Sequence, residues 1–246
     1  SGKLVVATIA SELSREQWKD YEQLFRGLGI RHVHHLRVET REEARSDARL
    51  RILDDATAVF FTGGDQLKLT SLLGDSPIYE RLKEIYEEGG TIAGTSAGAS
   101  VVCETMLVSG AGAESHRIGT SLSMAPGFGL ISGVIIDQHF AQRGRIGRLI
   151  GAVAHNPRML GIGIDENTAI VYDHRNAFEV IGEGAVYVVD GQDIAYTNLT
   201  DEGHDRTLSA FGMHLHVLSM GDRFDMVTRC ASHRPAEDVE EEILES

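Results

Sequence analysis

Short apolar runs alternate with amphipathic stretches over the first hundred residues of the chain. Continuous apolar runs predict strands that are buried on both faces, and apolar residues three and four apart predict helices. The predicted strands cover 3–10, 33–38, 57–61 and 91–94, and the predicted helices cover 18–28 (after turn and N-cap residues at 11–14), 41–53, 66–73, 78–88 and 97–103. The apolar residues of the first helix are Trp18, Tyr21, Leu24, Phe25 and Leu28. This alternation predicts an α/β fold with three layers, α/β/α, around a mostly parallel sheet.

The second half of the chain is richer in short apolar runs, which predict a partly antiparallel arrangement. A long loop is predicted over 108–129, because this stretch is rich in Gly, Ser and Ala, and a basic helix is predicted over 142–155. The predicted strands are 134–137, 160–164, 168–172, 177–181, 185–189, 193–197 and 213–218. No internal repeat or linker divides the chain, so we expect a single α/β domain over 1–233 and an acidic tail over 234–246.

Charge and composition narrow the classes of partner. The formal net charge of −14 argues against binding to nucleic acid or to an anionic membrane, and is compatible with a cationic ligand. No apolar run reaches the ~20 residues of a membrane-spanning helix, and no signal peptide is visible. The two cysteines, Cys103 and Cys230, are predicted to be reduced core thiols, which favours a cytoplasmic location.

The segment around Ser96 carries the first candidate chemistry. Gly94, Ser96 and Gly98 form a G-x-S-x-G pattern between a predicted strand and a predicted helix, which is typical of a nucleophile elbow. A serine in such a turn needs neighbours without bulky Cβ groups, and the helix behind it offers N–H groups to an oxyanion. The alternative from these residues alone is a glycine-rich turn with a buried serine.

Polar residues also follow other predicted strands, and the carboxyl ends of parallel strands are where ligands bind in open sheets. Because a serine hydroxyl needs a nearby base, His139, at the end of strand 134–137, is the predicted general base. Glu114 lies between Ser96 and His139 in the chain and is a candidate to orient the imidazole, with a solvated loop carboxylate as its alternative. His116 is a competitor for the role of base.

Further residues are candidates for binding the oxyanion and the substrate. The N–H groups of Gly64 and Ala97 are predicted to hold the oxyanion. Asp65 and Asp137 would meet a cationic group or would cap the helices that follow them. Gly161-Ile-Gly163 lacks a third glycine for a dinucleotide site and is predicted to be a turn. The arginines of the basic helix present guanidinium groups that suit carboxylates, or form a solvated face; they are Arg143, Arg145 and Arg148.

Four motifs taken together resemble the serine peptidase family that contains the cyanophycinases and peptidase E. They are FTGGDQ at 61–66, GTSAGAS at 94–100, DQHF at 137–140 with RGR at 143–145, and GIGIDE at 161–166. The resemblance extends from about residue 3 to residue 224. It implies a glutamine-amidotransferase-like α/β/α fold, a homodimer, no metal and no cofactor. It also implies an exopeptidase that releases β-Asp-Arg dipeptides from cyanophycin, a poly-aspartate backbone with arginine on each β-carboxyl.

The same resemblance implies roles for individual residues. Ser96 matches the nucleophile, His139 the base and Glu114 the acid of a catalytic triad. The residues that match the lining of the substrate pocket are Gln66, Asp137, Gln138, Arg143, Arg145 and Arg148. Members of this family begin with a further strand and a Gly-Gly-acidic turn, so we expect the first family strand to be missing before residue 1.

Two other functions stay open at this point. One is an aspartyl dipeptidase of the peptidase E kind, which would use the same triad with a smaller pocket. The other is a binding protein that keeps the fold without turnover. Faster hydrolysis of short Asp-X dipeptides than of the polymer would favour the first, and failure of a serine-directed probe to label Ser96 would favour the second.

Overall fold

The computed structural model describes residues 2–109, 117–118, 122–173, 175–201 and 206–233. Contacts divide the chain into two compact units, which are described separately below. The first unit is Ser1–Val108 with Met124–Ser132, and the second is Ser109–Ser123 with Gly133–Ser246. The single domain over 1–233 stays a prediction, and the acidic tail over 234–246 lies outside the described residues. No helix in the described ranges has the length and hydropathy needed to cross a bilayer.

A parallel sheet of four strands organises the first unit, in the order β2-β1-β3-β4. The strands are β1 (Lys3–Ala7), β2 (His32–Leu36), β3 (Ala56–Phe61) and β4 (Thr91–Gly94). The apolar run of β1 is almost entirely buried, as expected for a central strand that is covered on both faces. The four strands predicted for this half are therefore present, although the first ends at Ala7 and not at residue 10.

Five α-helices connect the strands of this unit or follow them. They are α1 (Ser14–Gly27), α2 (Asp47–Leu50), α3 (Gln66–Leu73), α4 (Pro77–Glu87) and α5 (Ala97–Ser100). The N-termini of α3 and α4 are fixed by local chemistry, because the Asp65 and Ser76 side chains accept hydrogen bonds from backbone N–H groups of the first turn. Pro77 occupies the first position of α4, where its missing N–H costs no intrahelical bond.

The buried face of α1 is narrower than its sequence predicts. Three aromatic residues of the helix, Trp18, Tyr21 and Phe25, pack on a cluster formed by Leu4, Val6 and Val33. Leu24 and Leu28, which we expected on the same face, are 52% and 70% exposed. Positions 18, 21 and 25 follow the i, i+3, i+7 spacing of one stripe, and the two leucines lie beside it.

The helix predicted over 41–53 is wrong as a single element. The segment contains a 3-10 turn (Glu43–Arg45), then α2, then a second 3-10 turn (Arg51–Leu53). Ser46 interrupts the first turn, because its backbone is extended at φ −79° and ψ 128°. Serine favours this conformation at helix starts, and its carbonyl accepts the first bonds of α2 from Arg49 and Leu50.

The loop predicted over 108–129 also contains ordered strands. Strand β5 (Thr105–Ser109) pairs with β7 (Ser123–Pro126), and between them lies the two-residue strand β6 (Arg117–Ile118). The helix predicted to reach Cys103 ends at Ser100, and Cys103 forms an isolated parallel bridge with Ile131.

A mixed four-stranded sheet, in the order β16-β12-β9-β8, forms the centre of the second unit. Its strands are β8 (Val134–Gln138), β9 (Leu160–Ile164), β12 (Val186–Asp190) and β16 (His214–Leu218). Strands β8 and β9 are parallel, while β12 is antiparallel to both of its neighbours. Helix α6 (Ile146–His155) connects β8 to β9.

A second, antiparallel sheet follows in the order β10-β11-β17-β18. It consists of β10 (Thr168–Asp173), β11 (Ala177–Gly182), β17 (Asp222–Asp225) and β18 (Cys230–His233). Two small ladders complete the unit, β13 (Tyr196–Thr197) with β15 (Ala210–Phe211), and β14 (Arg206–Thr207) with β6. The expected partly antiparallel second half is confirmed, although the sequence did not indicate β14, β15, β17 and β18.

Two local predictions in this unit are wrong. Gly161 and Gly163 lie inside β9 and not in a turn. A Cβ at Gly161 would lie 2.8 Å from Leu149, and one at Gly163 would lie 2.6 Å from the ring of Phe140. Both glycines therefore allow close packing on the strand. Cys103 and Cys230 are not joined in a disulfide, and Cys103 is buried, but Cys230 is exposed, whereas we expected it in the core.

Candidate active site

Ser96 occupies a strained turn between β4 and α5. Its backbone lies at φ 52° and ψ −114°, a region that residues other than glycine rarely adopt. The strand ends at Gly94 and the helix begins at Ala97, so the serine stands alone between two regular elements. This geometry confirms the sharp strand-to-helix turn that the G-x-S-x-G pattern predicts, and the role of Ser96 as nucleophile stays a prediction.

The two glycines of the elbow, Gly94 and Gly98, have no room for a side chain. A Cβ at Gly94 would lie 2.4 Å from the carbonyl group of Gly98, and a Cβ at Gly98 would lie 2.3 Å from the carbonyl oxygen of Phe61. These neighbours are backbone atoms that cannot rotate away. Strand β3, strand β4 and the start of α5 therefore approach one another as closely as their backbones allow.

A second pair of glycines lies beside the serine. A Cβ at Gly63 would lie 3.3 Å from Cβ of Ser96 and 3.8 Å from its Oγ. Gly64 has φ +144°, and a Cβ there would lie 2.2 Å from the carbonyl oxygen of Ala10. The turn after β3 thus brings backbone, and no side chain, next to the serine. Ala97 begins α5, so its N–H has no acceptor one turn earlier in the helix.

Asp65 and Gln66 follow these glycines, and both side chains already make hydrogen bonds within the first unit. Asp65 caps α3, with its Oδ1 accepting a hydrogen bond of 2.8 Å from Leu67 N–H. Gln66 is buried and donates from Nε2 to the carbonyl oxygen of Leu107 at 2.9 Å. The capping role that the sequence left open for Asp65 is observed. Its second carboxylate oxygen is not used by the cap.

In the second unit, His139 follows the end of β8 in a left-handed conformation, with φ 52°. Its ring Nδ1 is in close hydrogen-bonding contact with Oε1 of Glu166. The His139 side chain is 22% exposed and that of Glu166 is 51% exposed. A carboxylate at Nδ1 accepts the proton on that nitrogen, so in this tautomer Nε2 is the unprotonated ring nitrogen.

The segments that carry these two residues are joined by further hydrogen bonds. Asp165 accepts from the N–H of Ala141 at 2.8 Å, and the N–H of Glu166 donates to Oε1 of Gln142 at 3.3 Å. The other carboxylate oxygen of Asp165 accepts from the N–H of Ala185 at 3.2 Å. Residues 165–166 are therefore tied to the turn after His139, which fixes the pairing of the imidazole with its carboxylate.

Sequence reasoning did not assign a role to Glu166, although it noted the GIGIDE motif that contains it. A signal was available, because β8 and β9 are consecutive parallel strands and their carboxyl ends must meet at one edge. Glu114, the residue predicted to orient the imidazole, lies outside the described residues.

Four of the predicted substrate-binding residues contact one another. Asp137 is 1% exposed and accepts from Arg148 Nε at 2.6 Å, with a second close bond from Nη2. Arg145 Nη1 donates to Oδ1 of Asp137 at 3.0 Å and to the carbonyl oxygen of Gln138 at 2.5 Å. Arg145 and Arg148 thus point from one face of the helical segment onto the same carboxylate, whereas Arg143 is exposed.

This cluster is an internal ion-pair network, because Arg148 is only 5% exposed and both oxygens of Asp137 are occupied. Burial lowers the pKa of Arg145, and the neighbouring Asp137 carboxylate opposes that shift. Arg145 remains a cation at neutral pH in any case. The network anchors the end of β8 just before His139.

The candidate residues fall in both units. Gly64, Asp65, Gln66, Ser96 and Ala97 lie in the first, and the residues from Asp137 to Arg148 lie in the second together with Glu166. The meeting of Ser96 with His139 stays a prediction. Among the described residues, no group of three or more His, Cys, Asp or Glu side chains is arranged to hold a metal ion.

Comparison with known proteins gives a consistent result. The family model described as peptidase family S51 matches residues 7–181. The chain is 37% identical over 215 residues to the cyanophycinase of Synechococcus elongatus, covering 87% of this chain and 66% of that protein. It is 40% identical over 210 residues to the cyanophycinase of Trichormus variabilis, covering 85% of this chain and 70% of that protein. The chain therefore spans about two thirds of the length of the first of these relatives.

Among solved structures, a peptidase from an acI-B1 Actinobacterium matches with a TM-score of 0.61 and 24% identity. The match covers 86% of this chain and 82% of the other. At this level of identity the likeness concerns the fold, and it agrees with the α/β class that the strand and helix pattern predicts.

Proposed function

The chain belongs to peptidase family S51, and from this premise we propose that it is a serine peptidase that hydrolyses cyanophycin to β-Asp-Arg dipeptides. The observation that carries the proposal is the strained backbone of Ser96, surrounded by glycines that cannot be replaced without displacing backbone. Strain of this kind is retained where function needs it. The relatives that are cyanophycinases at 37–40% identity support the choice of substrate.

The proposed reaction is acyl transfer in two steps. Ser96 Oγ attacks the carbonyl carbon of an aspartyl residue in the polymer backbone while His139 Nε2 takes the hydroxyl proton. The C–N bond then breaks, and the imidazolium returns the proton to the leaving amine. A water molecule attacks the resulting ester in the same way and releases the dipeptide and free Ser96.

The backbone around Ser96 supports an oxyanion site. The N–H groups of Ala97 and Gly64 are the proposed donors, since the first begins α5 and the second belongs to the glycine pair beside the serine. Both belong to tight turns, so they need little reorganisation when negative charge develops on the carbonyl oxygen.

We propose Glu166 as the carboxylate that orients His139, because its contact with ring Nδ1 is the one an orienting acid makes. Glu114 stays a second candidate from the family resemblance. Replacing each with glutamine separates them: Glu166→Gln should lower kcat by a factor of about 10² to 10⁴. Glu114→Gln should then stay within a few-fold of wild type, and the reverse result would assign the role to Glu114.

Substrate recognition is proposed to combine residues of both charges. Arg143 is exposed and suits a substrate carboxylate, and the Asp65 oxygen that does not cap α3 suits a guanidinium group. Asp137, Arg148 and Arg145 are proposed to act mainly by shaping the β8 end, because they already satisfy one another. A homodimer and a cytoplasmic location stay predictions.

Incubation of cyanophycin with wild type and with Ser96→Ala tests the proposal directly. We expect dipeptide release by the wild type and a loss of about 10³-fold or more in the variant. Equal release from both would rule out serine catalysis. Faster hydrolysis of Asp-X dipeptides than of cyanophycin would favour the peptidase E-like alternative, and no turnover with no labelling of Ser96 would favour the inactive binding protein.

A further inference from the structure

A groove of about 790 Å³ runs along α3 within the first unit. One wall is α3 itself together with the residues at its two ends, and the other is the start of α4 and the segment 125–128. The lining residues that matter here are Asp65, Lys68, Asp75, Tyr79, Pro126 and Phe128. The groove thus combines charged groups of both signs with an apolar floor.

One end of this groove lies close to the nucleophile. Asp65 lines the groove, and Gly63, two residues earlier, has its Cβ position 3.3 Å from Cβ of Ser96. Two residues span at most about 7.6 Å between Cα atoms. A chain with its scissile bond at Ser96 therefore needs to extend by only a few residues to enter the groove.

The charged groups of the groove are available to a ligand. Asp65 uses one oxygen to cap α3, and the contact of Lys68 with the described residues is a long one of 3.4 Å to the carbonyl oxygen of Ser11. Within the described part of the chain, the carboxylate of Asp75 makes no hydrogen bond or ion pair. Its backbone is in the left-handed region, with φ 55°, and its side chain is exposed.

We propose that this groove binds the units of cyanophycin next to the one being released; the inference rests on the proposed function. Each unit carries a guanidinium and, because arginine is joined through its amino group, a free carboxylate. Asp75 and Asp65 match the first group and Lys68 matches the second. The apolar stems of the arginines pack on Tyr79 and Pro126, which are half-buried and exposed, respectively.

The length of the groove fits more than one unit. Helix α3 has eight residues and therefore spans about 12 Å, and the two aspartates flank its ends. An extended backbone covers about 3.3–3.6 Å per residue, so three to four aspartyl units fit along the helix. The rate should consequently rise with substrate length until the groove is filled.

The test compares oligomers of two and four β-Asp-Arg units at low ionic strength. The measured quantity is the ratio of kcat/KM for the four-unit substrate to that for the two-unit substrate. Asp75→Asn removes the charge and keeps a residue that tolerates the left-handed backbone. Exposed ion pairs are weak, so we expect the ratio to fall by roughly 2- to 5-fold, and the difference from wild type to shrink in high salt.

Asp55→Asn is a matched control, because Asp55 is exposed, has φ 58° and does not line the groove. It should leave the ratio at the wild-type value. An unchanged ratio in Asp75→Asn, with the wild type hydrolysing both oligomers, would overturn the groove proposal alone. No Ser96-dependent hydrolysis of either oligomer by the wild type would instead overturn the proposed function and this inference with it.

Discussion

We predict that the buried ion pair at the end of β8 contributes strongly to the free energy of unfolding. Asp137 is 1% exposed and receives hydrogen bonds from the guanidinium groups of Arg148 and Arg145. Asp137→Asn keeps the shape of the side chain and removes its charge. Two cations then stay in the interior without their counter-charge.

The size of the effect follows from the burial of the pair. Removing one partner of a buried pair costs about 3–5 kcal/mol in the free energy of unfolding, because the remaining charge stays desolvated. With a urea slope of about 2 kcal/mol/M, the unfolding midpoint should fall by about 2 M. Exposed pairs contribute only about 0–1 kcal/mol.

The chain provides its own control in the pair of Asp173 and Arg223. Their atoms are 2.6 Å apart, but the side chains are 35% and 40% exposed. Urea unfolding of Asp137→Asn and Asp173→Asn at pH 7, followed by far-UV circular dichroism, should therefore give clearly different midpoints. We expect a change of at most about 1 kcal/mol for Asp173→Asn.

One outcome would refute the structural role of the pair. If Asp137→Asn unfolds at the same urea concentration as Asp173→Asn while its KM for cyanophycin rises strongly, the carboxylate serves the substrate and not the fold. A large loss of stability in Asp137→Asn, with a smaller loss in Arg148→Met, would support the internal network, since Arg148→Met leaves Asp137 paired with Arg145.

Two further predictions concern the elbow and the pH dependence of stability. Gly98→Ala should cost about 1–3 kcal/mol and most of the activity, because its Cβ would lie 2.3 Å from the Phe61 carbonyl oxygen and would displace Ser96. The measurement is a thermal melt of both variants, with Gly27→Ala as control. Nothing lies near the Cβ position of Gly27, so this change should be neutral or slightly stabilising. Equal effects of the two changes would refute the steric explanation. Burial lowers the pKa of His35 in the folded chain, so the unfolded state binds a proton first as pH falls through about 6.5 and stability decreases. His35→Gln should flatten the slope of the urea midpoint between pH 7 and pH 5, and an unchanged slope would contradict the assignment.

Elements with local signals at both ends could be predicted to the residue. Helix α3 has the predicted bounds 66–73, because Asp65 caps its start and Gly74 follows its end. Strand β4 has the predicted bounds 91–94, since an apolar run ends there at the glycine of the elbow. In these cases neighbours in sequence decide the structure.

Predictions failed where contacts between residues far apart in sequence determine the local structure. Gly161 and Gly163 resemble a turn in sequence, but the reason for glycine there is the packing of α6 and of the Phe140 ring on β9. The partner of His139 was missed for the same reason. Glu166 lies 27 residues later, and only the pairing of β8 with β9 brings it to the imidazole.

The order of strands in the first sheet has a consequence for how the protein folds. Lys3 of β1 pairs with Ala56 of β3, and β4, the strand that leads into Ser96, joins the sheet beyond β3. Strand β1 therefore gains hydrogen bonds on its second side only when a partner distant in sequence joins it, and pairing of this kind slows folding. Strand β4 is therefore the last of these four strands in chain order, and the strained turn at Ser96 forms on an edge that β3 must already provide.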